Sequence, residues 1–262
     1  VACDLDRTLI GEDTVLRPRT RAALAATSAA GIHVILVTGR MFQSVRRYAS
    51  EAGTEDPVVC YQGAVVAEPV SGRWLRHVPI PLELARETIA ALNAAGFGLN
   101  CYVDDELYVA EVTPEARRYA DFQDLELHPV GDLLEWLERP PTKLVVIGDP
   151  DALDELKQRL RATFGARLYI SKSLPHFLEF ASPDVTKAAG LEFLAEHLGF
   201  ARDRTVAFGD GENDIELVDW AGYGVAVENA HDLVKAVADF VCPSVYEEGV
   251  AQVLEAYLHS RR

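Results

Sequence analysis

The chain has 262 residues, 49% hydrophobic and 25% charged, with a formal net charge of -16 at pH 7. A chain of this size buries a large core and divides into more than one domain, while its acidity excludes nucleic acid and anionic membrane as partners, since both require a basic surface. It contains no apolar run long enough to span a bilayer and no secretory leader pattern, and Cys3, Cys60, Cys101 and Cys242 lie in or beside apolar runs without metal-ligand spacing, so reduced core thiols in a soluble cytoplasmic protein are expected.

Val1-Ala2-Cys3 reads as the end of a buried strand that runs straight into Asp4-Leu5-Asp6-Arg7-Thr8. Two ionised carboxylates about 4 Å apart at the edge of a core repel by roughly 4 kcal/mol at an effective dielectric of about 20. A hard divalent cation, Mg2+ above all, relieves that repulsion and leaves positions for water and a substrate phosphate. The alternative is a strand-end turn with two solvated aspartates. An Ala-rich helix follows over 19–30, then a strand over 34–37 ending at Thr38-Gly39-Arg40, a helix over 43–52 and a strand over 58–61 ending at Gln62-Gly63-Ala64, with a hairpin closing over Ser71-Gly72. Strands alternating with helices imply parallel crossovers, hence a doubly wound α/β core with a mostly parallel, Rossmann-like sheet.

The pattern changes near Pro79. Helices are expected over 82–95, 115–122, 132–137 and 152–164, and strands over 97–103, 107–112, 143–147, 167–171 and 176–181, with a turn at Asp104-Asp105-Glu106. Adjacent strands here look antiparallel, so residues 81–181 read as an α+β domain inserted into a core made of 1–80 and 182–262, with proline-containing linkers on both sides. Beyond it, Lys187 starts a helix, a strand over 205–208 leads into Gly209-Asp210-Gly211-Glu212-Asn213-Asp214, and a strand over 224–227 ends at Glu228-Asn229-Ala230, before a last strand over 240–242. Ligands of open α/β sheets bind at the carboxyl ends of strands where the strand order switches. The clusters at Asp4 and Asp6, Thr38, and Asp210 and Asp214 should therefore converge.

Each cluster has a plainer reading. Thr38-Gly39 serves either as a strand-to-helix turn or as an anion site at a helix start. Lys187 in the first turn of its helix opposes the macrodipole unless it faces an anion. Asn213, with Glu216 three residues on, makes a good helix cap. Asp210 is less easily explained, because Gly209 and Gly211 suggest backbone pressed close to a ligand. Lys172, Ser173 and His176 in the insert suit surface or packing roles better than substrate contact.

In order, Asp4-Leu5-Asp6-Arg7-Thr8, Thr38 after an apolar strand, Lys187 at a helix start, and Gly209-Asp210 with Asn213-Asp214 resemble the four motifs of the haloacid dehalogenase superfamily of phosphohydrolases. The insert between the second and third motifs resembles the type IIB cap of Cof-type sugar phosphatases, and the resemblance spans nearly the whole chain. Arg7 stands where glycine is usual, Gln62 where asparagine precedes Gly63-Ala64, and Glu228 where glycine precedes Asn229-Ala230.

The resemblance implies a Mg2+-dependent phosphatase of small phosphorylated metabolites, sugar phosphates in particular, present as a monomer or small homo-oligomer. Asp4 is implied as the nucleophile and Asp6 as the acid that protonates the leaving group and then activates water. Mg2+ is implied to be held by Asp4, the backbone carbonyl of Asp6 and Asp210, with Asp214 in support, and the phosphoryl group by Thr38, Gly39, Lys187 and Asn213. A phosphomutase shares this site, and a phosphoacceptor module using Asp4 alone is the alternative from another class.

Overall fold

The computed structural model describes residues 1–260. Continuous apolar runs such as Val34-Ile35-Leu36-Val37 are satisfied only where both sheet faces are covered. Five of them form a sheet in the order Phe240–Cys242, Tyr223–Val227, Val206–Gly209, Ala2–Cys3 and Ile35–Leu36, every neighbouring pair parallel. Val58–Cys60 continues the parallel set through a Val37–Val59 bridge and forms an antiparallel ribbon with Val65–Ala67 and Trp74–His77. Leu191, Leu194, Leu217 and Ala221 pack on Ala2, Ile35, Val37, Val59 and Ala207 beneath the helices of one face. Helix Pro18–Ala29 packs with Phe42–Ala52 and Gly249–Ser260, while Ile215–Trp220 packs with Lys187–Leu198 and Asp232–Val237, so the sheet is wound on both sides.

The first strand lies in the middle of this sheet. The chain moves to one side of it for Ile35–Leu36 and returns on the other side at Val206–Gly209, so the strand order switches at Ala2–Cys3. Asp4, Thr38 and Asp210 follow the carboxyl ends of three adjacent strands.

By its internal contacts the chain divides into two compact units, Val1–Arg76 with Thr186–Arg262, and His77–Val185. The second is slightly wider at both ends than 81–181. Its six-stranded sheet runs Tyr169–Leu174, Phe177–Ala181, Lys143–Ile147, Leu99–Val103, Glu106–Val109 and Leu127–Pro129. One face is buried by helices Leu82–Ala94 and Pro150–Phe164 through Leu84, Ile89, Leu92, Leu153, Leu156 and Leu160. Asp104 and Asp105 form the hairpin loop with φ of 52° and 62°, the left-handed geometry that a two-residue hairpin needs; Glu106 already pairs with Val103 in the ladder.

Two elements lie outside the sequence expectation. Leu127–Pro129 is a short edge strand, parallel to Glu106–Val109 in a sheet otherwise antiparallel; its Pro129 is tolerated because an edge leaves one side unpaired. Helix Gly249–Ser260 opens on a glycine, a poor helix former, and is stabilised by burying Val250, Ala251 and Leu254. No described helix is long and apolar enough to cross a membrane. All four cysteines are buried, and burial pushes the Cys3 and Cys101 thiols up to about 12.

Candidate active site

Asp4 leaves the central strand with its N–H bonded to the Phe208 carbonyl at 3.0 Å, and the loop behind it closes tightly, Leu9 and Ile10 both donating to the Leu5 carbonyl. Arg7 takes φ 63° in that loop, a left-handed conformation costing a non-glycine residue roughly 1–2 kcal/mol. Contacts offset the strain: Arg7 Nη2 donates to the Asn229 carbonyl at 3.3 Å, Asn229 Nδ2 returns a bond to the Arg7 carbonyl at 2.8 Å, and Arg7 Nε lies 3.6 Å from Asp210 Oδ2. The departure from glycine is thus built into the site's wall.

On the other side, Thr186 caps the Lys187–Leu198 helix, its Oγ1 accepting the Ala189 N–H at 3.0 Å. This delivers Lys187, 1% exposed, into a cluster of carboxylates. Asp4, Asp210 and Asp214 are all buried, with ligand oxygens within 4.8 Å of one another. Lys187 Nζ donates to Asp4 Oδ1 at 2.5 Å and to Asp214 Oδ1 at 2.6 Å. The other Asp214 oxygen accepts the N–H groups of Asp210 and Gly211 at 3.0 and 2.9 Å, and Thr8 Oγ1 donates to Asp210 at 3.1 Å. Gly209 is required for a reason different from the one its sequence position suggests: a Cβ there would lie 2.5 Å from Asp214 Cβ. The glycine makes room for a carboxylate, not a ligand.

The charges do not balance. Burial, and then Asp214, hold the Asp4 carboxyl well above the usual range, and the same two causes push Asp210 up to about 7 against the pull of Arg7 and Lys187. Burial by itself would lower the Lys187 ammonium, but Asp214 and Asp4 together raise it. One buried cation among three carboxylates leaves the site short of positive charge, and its donors are all hard oxygens. A Mg2+-sized ion fits that set.

A pH-dependent test follows. Asp210 rises from 3.8 to about 7 on folding, so between those values the folded form binds more protons. This group's contribution to stability therefore falls as pH rises through the window, and a cation that favours the carboxylate restores it. In chelator, the melting temperature should drop between pH 5 and pH 8, and Mg2+ should raise it by more at pH 8. Equal Mg2+ shifts at both pH values, measured by calorimetry, would remove the assignment of Asp210 to the metal.

The Asp6 carboxylate does not join the cluster. Arg40 holds it in a bidentate pair, Nε to Oδ2 at 2.8 Å and Nη2 to Oδ1 at 2.7 Å, and Arg40 is itself buried against Ser44 and Tyr48. The three aspartates expected to bring carboxylates to a metal, Asp4, Asp210 and Asp214, do come together, while Asp6, expected there through its backbone carbonyl, has its side chain on an arginine. Thr38 is fully buried, its Oγ1 accepting the Arg40 N–H at 3.1 Å. Gly39 packs on the Gln62 amide, and Asn213 Nδ2 donates to Gln62 Oε1 at 3.0 Å.

Arg40, Thr8 and Gln62 are the site residues to which the sequence reading gives no role. Arg40 and Thr8 had a visible signal, since each lies within four residues of an expected site residue at the same strand end. In the inserted unit, Lys172 Nζ bonds Asp154 at 2.9 Å and the Pro150 carbonyl, Ser173 bonds Glu179, and His176 bonds the Gly148 carbonyl. All three have partners within their own unit.

Residues 1–254 match the haloacid dehalogenase-like hydrolase family. The 5-amino-6-(5-phospho-D-ribitylamino)uracil phosphatase YitU of Bacillus subtilis is 28% identical over 98% of this chain and 96% of its own. The pyridoxal phosphate phosphatase YbhA of Escherichia coli is 26% identical over 98% of each. Among solved structures, TM0651 from Thermotoga maritima is 31% identical, with a TM-score of 0.83 over 97% of this chain and 96% of that one.

Proposed function

The chain belongs to the haloacid dehalogenase-like hydrolases, and from that premise we propose that this phosphatase hydrolyses small phosphate monoesters, sugar phosphates in particular, through a phosphoryl group carried on Asp4. The observation that carries the reading is the buried meeting of Asp4, Asp210 and Asp214 around Lys187. A core protein has no structural reason to bury three carboxylates against one buried lysine and a part-exposed arginine; a site that binds a metal and a phosphate has one.

Asp4 attacks the phosphorus in line with the ester oxygen, the P–O bond to the leaving group breaks, and Asp6 gives that oxygen its proton. Asp6 then takes a proton from water, whose oxygen attacks the phosphorus of the aspartyl phosphate and frees Asp4 and inorganic phosphate. Arg40, bonded here to both Asp6 oxygens, positions Asp6 as the carboxylate that suits the second step. For the first step Asp6 takes up a proton from solvent and parts from at least one of those bonds before giving the proton to the leaving oxygen. Lys187, Thr38 with Gly39, and Asn213 hold the phosphoryl oxygens, and this placement and fixed charge supply most of the rate. Asp4, the backbone carbonyl of Asp6 and Asp210, with Asp214 in support, would hold Mg2+, which when bound offsets charge between nucleophile and phosphate. Asp6 separates a hydrolase from a lasting phosphoacceptor, since an acid and base beside the nucleophile shortens the life of any phospho-signal. We assign selection of the ester to the inserted unit, and the buried cysteines suit a reducing cytoplasm.

The test is phosphate release from sugar phosphates, pyridoxal phosphate, a phosphoribitylamino compound and other small esters, with Mg2+ and with chelator. Mg2+-dependent release supports the reading, and no release from any ester overturns it. Asp6→Ala should accumulate an acid-stable, base-labile phosphoprotein when given labelled substrate. A variant that is slow yet carries no label would remove the second of the two roles given to Asp6.

A further inference from the structure

The turn Tyr61–Gly63 has a shape its own residues do not favour. Tyr61 and Gln62 both take left-handed φ values, 53° and 60°, without the freedom of glycine. What imposes the shape is close packing on every side. A Cβ on Gly63 would lie 2.0 Å from the Thr186 carbonyl oxygen, and one on Gly190 would lie 2.4 Å from Val59 Cγ1. The turn's backbone is tied to the neighbouring strand end, Tyr61 N–H donating to the Arg40 carbonyl at 2.9 Å and Gln62 N–H to the Thr38 carbonyl at 3.1 Å.

The consequence is the position of one amide. Gln62 is 1% exposed, and its Oε1 accepts from Asn213 Nδ2 at 3.0 Å, which fixes the orientation of the group. Nε2 is thereby turned toward Gly39, where the position of a Cβ would be only 2.4 Å away. The glycine leaves this space open for the amide. Nε2 is buried and finds no acceptor for its hydrogens. A donor buried without an acceptor is costly and rare in native proteins. This one lies between residues already assigned to the phosphoryl group: Gly39 beside Nε2 and Asn213 on Oε1.

We propose that Gln62 is a further substrate-binding residue, its Nε2 donating to an oxygen of the transferring phosphoryl group. The assignment rests on the phosphatase reading above and deepens it. A tetrahedral oxyanion, phosphate or a phosphate ester, supplies the acceptor the protein lacks. The two amides then act as one unit: Asn213 holds Gln62, and Gln62 holds the anion. The strained turn is what keeps the longer side chain aimed.

Gln62→Glu keeps the oxygen that Asn213 bonds and replaces the Nε2 amide group with a second oxygen, turning the donor into a negatively charged acceptor. Gln62→Met removes both ends with little change in length. Inorganic phosphate is the probe, read as a competitive inhibition constant and by calorimetric titration of the Mg2+-loaded protein, with the melting temperature taken in parallel. Loss of one hydrogen bond to a charged partner should weaken phosphate binding roughly 10-fold to 100-fold in Gln62→Met, and Gln62→Glu should be weaker still through repulsion. KM for a good ester should rise in step, and Gln62→Asn should retain more affinity than Gln62→Met. Phosphate constants within about twofold of wild type in both the Glu and Met variants would overturn the assignment, as would a loss seen only with a lowered melting temperature. Wild-type protein that binds phosphate but cleaves no ester would refute the hydrolytic reading and leave this one standing on affinity. Wild-type protein that binds no phosphate would overturn both.

Discussion

Asp4→Asn should reduce turnover to below roughly 10^-4 of wild type, a loss of about 5 kcal/mol in transition-state stabilisation, while the protein remains folded. The amide keeps the size of the carboxylate but cannot attack phosphorus as an anion. The fold should withstand the change because Asp4 is held by its backbone, through its N–H to Phe208, and because Lys187 keeps Asp214 as a partner. The same substitution removes one of three mutually repelling carboxylates. In chelator the variant should therefore unfold at no lower temperature than wild type. Steady-state release of phosphate, with unfolding followed by circular dichroism, checks both halves. Activity within tenfold of wild type would move the nucleophile elsewhere.

Lys187→Met is expected to have the largest effect on stability. It keeps the length of the side chain and deletes the buried ammonium that bonds both Asp4 and Asp214. Breaking a buried ion pair from one side typically costs about 3–5 kcal/mol, because the partner charge is left uncompensated. At about 2–4 °C per kcal/mol for a domain of 150–250 residues, the chelated variant should melt roughly 10 °C lower. Mg2+ should recover part of that loss. Turnover should fall roughly 100-fold to 1,000-fold or more, as when one donor is removed from a preorganised anion site. A second substitution, Asp214→Asn, should restore stability but not activity, since it removes the orphaned charge. If the double variant melts lower than Lys187→Met alone, the charge imbalance is not what the lysine relieves.

The strand ends that carry the site were readable because fully buried parallel strands appear as unbroken apolar runs, and each run ends at a polar cluster: Asp4 after Ala2-Cys3, Thr38 after Val34 to Val37, Asp210 after Phe208-Gly209. Convergence of these clusters required only the rule that ligands bind where strand order switches, and the sheet order meets it. Side-chain pairing was another matter. Asp6 turns to Arg40, 34 residues away, because Ile35–Leu36 is placed beside Ala2–Cys3, and no local spacing encodes that adjacency. Gln62 was harder still, since a left-handed glutamine gives no sign in a sequence where glycine would. The space reserved for it at Gly39 has meaning only once the two segments are side by side. Strand Leu127–Pro129 and helix Gly249–Ser260 escaped notice because tertiary burial overrides the weak local preferences of Pro129 and Gly249.

Asp4 and Lys187 are 183 residues apart in sequence, and that separation has a temporal meaning. During synthesis Asp4 emerges before the inserted unit, while Lys187, Asp210 and Asp214 follow only after it. Contacts of such range form late, after the loop between them has been closed. On the proposed mechanism, a nascent chain would carry Asp4 without the lysine and carboxylates that complete its site. If the proposed site is right, turnover requires the segments around Asp4 and Lys187 to have come together, so activity would serve as a direct report that this unit has finished folding.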